Sequence, residues 1–148
     1  MNLLMPVSSI MTRHVHVVLA TDSLSLVKDI FDRKTILHIP VMHHGRVVGI
    51  INRPDFRSFV SCLDKHFDNP SMSSSLMRAY VAEEVMQNKV AFLEPSDRLN
   101  VALEMLRDDI FTALPVLEGE RLVGLITALD VVKALSKEKA AEINYQIF

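Results

Sequence analysis

A chain that aligns with itself at one fixed offset must fold as two copies of one unit, and this one does. Displaced by 75 residues, Met11 falls on Met86, Val15 on Val90, Asp22 on Asp97 and Leu24 on Leu99. Pro40-Val41 then falls on Pro115-Val116, Arg46 on Arg121, Val48-Gly49 on Val123-Gly124, Ile51 on Ile126 and Asp55 on Asp130. Segments 7–55 and 82–130 share 11 identities in 49 positions without a gap, where ordinary composition gives about three. Many other positions exchange one apolar residue for another, such as Ile10 with Val85 and Ile39 with Leu114. The chain is a tandem duplication.

Both copies predict the same element order. A short apolar stretch, Val15 to Leu19 or Val90 to Leu93, suits a strand. Thr21-Asp22 or Ser96-Asp97 then supplies a helix N-cap. Leu24, Val27, Ile30 and Phe31 follow at spacings of three and four, as do Leu99, Ala102, Leu103 and Leu106, which makes an amphipathic helix. Two β-rich runs come next, Ile36 to Met42 and Arg46 to Ile51, joined by His43-His44-Gly45. The second copy has Phe111 to Leu117 and Arg121 to Ile126 around Glu118-Gly119-Glu120, so each pair predicts a hairpin. A second helix begins near Asn52 and Thr127. The unit is β-α-β-β-α, an α/β (α+β) class.

A single unit of about 55 residues is marginal as a domain, which predicts one module of two packed lobes. The expected division is 1–63 for the first unit with its lead-in, 64–79 for a linker, and 80–148 for the second unit with a C-terminal helix and tail. Asn69-Pro70 and Ser73-Ser74-Ser75 mark the linker as loop, with Leu76, Met77 and Tyr80 suggesting a short helix at its end. The last residues, Ile143, Tyr145, Ile147 and Phe148, alternate with Asn144 and Gln146. That pattern suits an extended arm docked on its own chain or across a dimer seam.

Composition narrows the function classes. The 148 residues are 49% hydrophobic and 23% charged, an ordinary globular balance. Sixteen Lys and Arg against 18 Asp and Glu give a net charge of -2, with no basic footprint for nucleic acid. No apolar run approaches the ~20 residues of a membrane span. Cys62 is the one cysteine, and Met1 to Met11 lacks a secretory pattern, so a cytoplasmic protein is expected. Four glycines form no phosphate-binding loop, no Cys/His cluster has zinc spacing, and no catalytic constellation is visible, so no enzyme activity is expected.

Three motifs recur in order in both copies: Ile10-Met11-Thr12 with Val85-Met86, Ile39-Pro40-Val41 with Leu114-Pro115-Val116, and a closing pair. That pair is Gly49-Ile50-Ile51-Asn52-Arg53-Pro54-Asp55 and Gly124-Leu125-Ile126-Thr127-Ala128-Leu129-Asp130. In these, residues 7 to about 135 resemble the CBS domain, named after cystathionine beta-synthase, in its tandem, Bateman-type arrangement. The resemblance implies a non-enzymatic regulatory module that binds an adenine nucleotide or adenosyl compound between the copies, forms a homodimer and controls a partner protein. It implies no obligatory cofactor, and a regulatory ligand drawn from AMP, ADP, ATP or S-adenosylmethionine. No nucleic acid or membrane partner is expected.

The closing motif also has a physical reading. Its glycine permits close approach to the last strand, and the unpaired amides of the following helix favour an anion such as phosphate. A carboxylate at Asp130 can accept from both hydroxyls of a ribose; the resemblance implies that Thr127 and Asp130 hold ribose and phosphate. Thr-x-x-Asp is equally a capping box satisfying its own helix. The first copy carries Asn52, Arg53 and Asp55 there, with Arg53 a candidate phosphate partner. His38 falls where the family often places a basic phosphate ligand, opposite Ala113 preceded by Thr112 in the second copy. Ile10, Ile39, Val85 and Leu114 are the candidate apolar walls for an adenine ring, although strand residues of this kind are core by default. The rival reading is a ligand-free dimerisation or interaction scaffold.

Overall fold

The computed structural model describes residues 1–66, 69–108 and 110–137. The first copy forms β1 (Val18–Leu19), α1 (Leu24–Arg33), β2 (His38–His43), β3 (Arg46–Asn52) and α2 (Arg53–His66). A connecting helix α3 (Pro70–Ala79) leads to the second copy, with α4 (Leu99–Arg107), β4 (Ala113–Glu118), β5 (Arg121–Thr127) and α5 (Ala128–Ser136). The class is mixed α/β, with sheets ordered β1-β2-β3 and β4-β5. Both hairpins are antiparallel, and both slip register at the same repeat position, Val41/Met42 and Val116/Leu117. His44 and Gly45 turn the first hairpin with φ of 47° and 75°, which Gly45 adopts without steric cost.

Three local expectations are corrected. The second copy has no first strand: Leu93 makes one parallel bridge to Val116, whereas β1 pairs with β2 at two positions. The ladder of the first copy is prolonged by Ala20 N–H donating to Met42 O at 2.8 Å. Pro95 stands at the equivalent place and has no N–H to donate. The N-cap of α1 is Ser23, not Thr21, and α4 starts from Arg98 without a side-chain cap. Asp22 and Asp97 instead accept the N–H of Leu19 and Glu94, each at 2.7 Å, closing the turn before each helix. The serine run lies within α3: Asn69 caps the helix, Ser73 is buried and donates to Asp64 at 2.6 Å, and Ser75 donates to Ser71 O.

The packing units are not the sequence units. Residues at and just before the start of each copy are stitched onto the other copy's lobe. Leu24 N–H donates to Tyr80 O and Ala82 N–H to Asp22 O; the 75-residue mates, Leu99 to Met5 and Val7 to Asp97, repeat both bonds at 2.8 to 3.0 Å. Val7 and Met11 are buried with Leu93, Leu99, Leu114, Val116 and Ile126 in the second lobe. Met77 and Ala82 are buried with Leu24, Val27, Ile39, Val41 and Ile51 in the first. A fully buried Val or Met side chain contributes about 1.5–3 kcal/mol, so each lobe depends on apolar area supplied from the start of the other copy.

The crossing explains the repeat's glycine. Gly49 and Gly124 are approached by Met86 and Met11, the same motif methionine in each copy, and a Cβ at either would collide with the thioether. Beside these contacts, Thr12 bridges Leu125 and Gln87 bridges Ile50 in antiparallel fashion. A small central cluster of Ile50, Leu125 and Ala113, flanked by Val15 and Val90, seals the seam between lobes.

Candidate ligand cleft between the repeats

Thr127 ends β5 and caps α5, and its neighbours make a closed set of bonds. Asp130 Oδ2 accepts from the Thr127 N–H and Oγ1, both at 2.8 Å, while Thr127 Oγ1 accepts the Asp130 N–H at 3.4 Å. Oδ1 accepts from Thr12 Oγ1 at 2.8 Å, from a residue 118 positions away in the lead-in that crosses to this lobe. Asp130 is only 9% exposed. The capping box is therefore real, and the lead-in adds a third donor to it. Among the described residues this leaves one acceptor direction on Oδ1. One ligand hydroxyl can be added there, whereas a bidentate diol must displace a threonine.

The helix start faces a cleft of about 350 Å³ between the lobes, within the usual range for small-ligand sites. From the second copy come Thr112, Leu125, Thr127, Asp130 and Lys133; from the first come Val15, Ile36, Leu37 and His38. Thus His38, Thr112, Thr127 and Asp130 are brought together as sequence candidates. Burial lowers the His38 pKa below the usual imidazole value, and the Asp130 charge opposes that shift. His38 is the repeat mate of Ala113, a buried member of the central apolar seam.

The mirror position at the start of α2 has the same backbone plan. Asp55 N–H donates to Asn52 Oδ1 and Asn52 Nδ2 donates to Asp55 Oδ2, both at 2.8 Å. Gln87, the mate of Thr12, donates to the same Asp55 oxygen at 2.7 Å. Arg53 is turned away from this helix start. Its guanidinium donates to Phe31 O and to Lys34 O (2.7 Å) and lies over the Phe31 ring, closing the C-terminal end of α1.

The other apolar candidates take core positions. Ile39 and Leu114 are each 0% exposed, so they back the strands without facing a ligand. Val85 packs on the first lobe's core. Ile10 packs on the second lobe's core and walls a separate, wider hollow of about 640 Å³ on the far side of Asp130, with Met5 and Arg13. The apolar wall of the interlobe cleft is Val15, Ile36, Leu37, Leu125 and Leu129 instead. Sequence reasoning missed Thr12, His14, His16 and Lys133, which also border that cleft. The alternation of His14 and His16 with Val15 and Val17 was the available signal, since residues two apart in an extended segment share a face. Cys62 is exposed on α2, 3.7 Å from His66 Nδ1. Among the described residues no His, Cys, Asp or Glu group has metal-binding geometry, and no helix is long and apolar enough to cross a membrane.

Two intertwined α/β repeats with polar helix starts at their seam define a tandem-repeat module rather than two independent domains. The chain belongs to the CBS-domain family, whose model matches residues 7–61 and again 81–137. It is 31% identical to protein MJ1225 of Methanocaldococcus jannaschii over 126 residues, 82% of this chain and 44% of that protein. It thus spans under half the length of the curated relatives it matches. The solved structure of MJ1225, a candidate archaeal homologue of γ-AMPK, superimposes with a TM-score of 0.76 at 26% identity, over 91% of this chain and 49% of that one. A candidate acetoin utilization protein (AcuB) of Vibrio cholerae matches with a TM-score of 0.71 at 27% identity, over 90% and 92%. The CBS domain pair of protein MJ0100, solved with 5'-methylthioadenosine and S-adenosyl-L-methionine, shares the fold at 19% identity, with a TM-score of 0.72 over 92% and 99%.

Proposed function

We propose that the chain is a non-enzymatic regulatory module that takes an adenine nucleotide or adenosyl ligand in the interlobe cleft and passes its occupancy to a partner protein. The observation carrying this reading is the meeting of Thr127 and Asp130 of one copy with His38 of the other across a 350 Å³ cleft. A ligand there touches both lobes, so it favours whichever interlobe arrangement it contacts better. Thr12 extends the effect, because it ties Asp130 to the crossing lead-in. The adenosyl ligands held by the MJ0100 pair support the ligand class. A thermal-shift series with AMP, ADP, ATP and S-adenosylmethionine tests it: a binder at a hundredfold excess over its Kd adds about 2.7 kcal/mol and raises Tm. No shift with any of them rejects the reading.

One observation favours the scaffold instead. Both Asp130 oxygens already accept protein hydrogen bonds, as a cap with no ligand role requires. The same thermal-shift series separates the two. Either reading makes the chain a homodimer, supported by Leu129, Val132 and Leu135, which leave one side of α5 46–57% exposed. Light scattering at micromolar concentration is expected to return twice the chain mass, and a monomer mass rejects it. The apolar tail expected to dock near that seam, Ile143 to Phe148, lies outside the described residues.

A further inference from the structure

The 75-residue offset exposes a chemical asymmetry between the two helix starts. Around Thr127 the cleft is bordered by His14, His16 and His38 with Lys133, against a single acid, Asp130. Their mates around Asn52 are Lys89, Ala91, Ala113 and Ser58. The nearby Arg53 is committed to the α1 carbonyls. Three imidazoles and an amine have thus gathered at one cleft, and Lys89 is the one cation among their four repeat mates. Resting on the proposed ligand class, we infer that the Thr127 cleft alone takes a phosphate-bearing adenosine compound, in preference to an uncharged or sulfonium one, and that binding draws protons onto its histidines.

The chemistry follows from the charges that face each other. Neutral imidazole contributes one N–H, whereas imidazolium contributes two and a positive charge, which strengthens its bonds to phosphate oxygens. In the empty cleft burial holds His38 towards the neutral form, with Asp130 pulling the other way. An arriving phosphate adds negative charge on the same side as Asp130 and favours proton uptake. His14 and His16 are exposed, so their imidazoles can turn to the ligand with little desolvation. Lys133 follows Asp130 by about one helical turn and adds an ammonium group to the border of this cleft. A sulfonium ligand meets Lys133 as a like charge and gives the imidazoles no anion to favour proton uptake.

Titration calorimetry on the full chain tests this with ADP, adenosine and S-adenosylmethionine at about pH 6 and about pH 8, either side of the imidazole range. ADP is expected to bind once per chain, about tenfold tighter at the lower pH, with a binding heat that changes with the buffer's ionisation enthalpy. A phosphate monoester loses charge on acidification, its second pKa being about 6, so a gain at low pH must come from the protein. Adenosine is expected to bind weakly and equally at both. The double variant His14→Gln/His16→Gln changes exposed side chains and keeps the wild-type Tm, yet loses most of the pH gain; His38→Gln removes the remainder. ADP binding no tighter than adenosine, a pH-independent ADP affinity, two ADP per chain, or an undiminished pH gain in the double variant each overturns the inference. If adenosine or S-adenosylmethionine still binds, the ligand reading survives that result. If none of the three binds at either pH, both fall.

Discussion

The starts of α2 and α5 are the same piece of backbone with different side-chain commitments. Both follow a strand ending in a polar cap, both place an aspartate three residues on, and both receive a hydrogen bond from the lead-in that crosses over: Gln87 to Asp55, Thr12 to Asp130. At α2 the added cation, Arg53, is spent on finishing α1, and the repeat mate of His38 is the buried Ala113. At α5 the position of Arg53 is Ala128; Lys133 stands on α5 itself, and His38 borders the same cleft from the other copy. The difference teaches that in a duplicated fold the capping geometry belongs to the backbone plan, while binding chemistry depends on where each repeat's charges are free to point.

The sharpest way to test that comparison is to remove each aspartate. Asp130→Ala is expected to cost a tenfold to hundredfold loss in ligand affinity, about 1.5–3 kcal/mol for charge-assisted bonds, together with a lower Tm. Asp55→Ala is expected to lose only the capping contribution of about 1 kcal/mol and to leave calorimetric affinity intact. Equal affinity losses would make both helix starts binding sites.

The crossing itself is broken by adding a methyl group to either glycine, and the two sites differ. At Gly49 a Cβ would lie 2.9 Å from the Gln87 carbonyl oxygen as well as against Met86; at Gly124 its three nearest atoms all belong to the Met11 side chain. Gly49→Ala is therefore expected to cost about 2 kcal/mol in denaturant unfolding, and Gly124→Ala about 1 kcal/mol. Shortening the methionine in Met11→Ala/Gly124→Ala should recover part of the second loss, whereas Met86→Ala/Gly49→Ala leaves the contact with the Gln87 carbonyl in place and should recover a smaller share of the first.

Arg53→Ala is next in size. Because its guanidinium closes α1, we expect a stability loss of about 1 kcal/mol, the same with and without ligand in a thermal-shift comparison. A selective loss of affinity for phosphorylated ligands would instead return Arg53 to the binding role suggested by its place in the sequence.

The smallest effect is the pH dependence of the empty protein. His38 has a folded pKa below its unfolded value, so the unfolded chain takes up the proton more readily. The associated stability is present above about pH 6.5 and is lost as pH falls through the folded pKa. His38→Ala makes the position match Ala113, and Tm measured from about pH 8 to about pH 5 should lose that part of its slope. An unchanged slope would mean that the imidazole is not held neutral by the seam.

Much of the fold was legible in residues alone, and the exceptions share a cause. The hairpins were visible because turn chemistry and alternation act over a few residues: β3 starts at Arg46 and β5 at Arg121, as the patterns predict. The helix faces through Leu24, Val27 and Phe31 and through Leu99 and Ala102 were visible for the same reason. The serine run misled because its hydroxyls find partners within and beside α3, notably Asp64, nine residues upstream of Ser73. The closing glycines were legible as points of close approach, but what approaches is a methionine of the other copy's lead-in.

The sequence by itself determined the duplication with its hairpins and amphipathic helices, and marked Thr127 and Asp130 as a capping pair, because each is a pattern of nearby residues. Only the tertiary structure decided that each lobe is completed by the opening segment of the other copy. It alone decided that Arg53 turns to α1, and that His14, His16 and His38 meet Lys133 at one cleft. Those outcomes depend on contacts such as Thr12 with Asp130, 118 residues apart, and a pairing at that separation is set by which apolar surfaces cover one another, a property no local pattern carries.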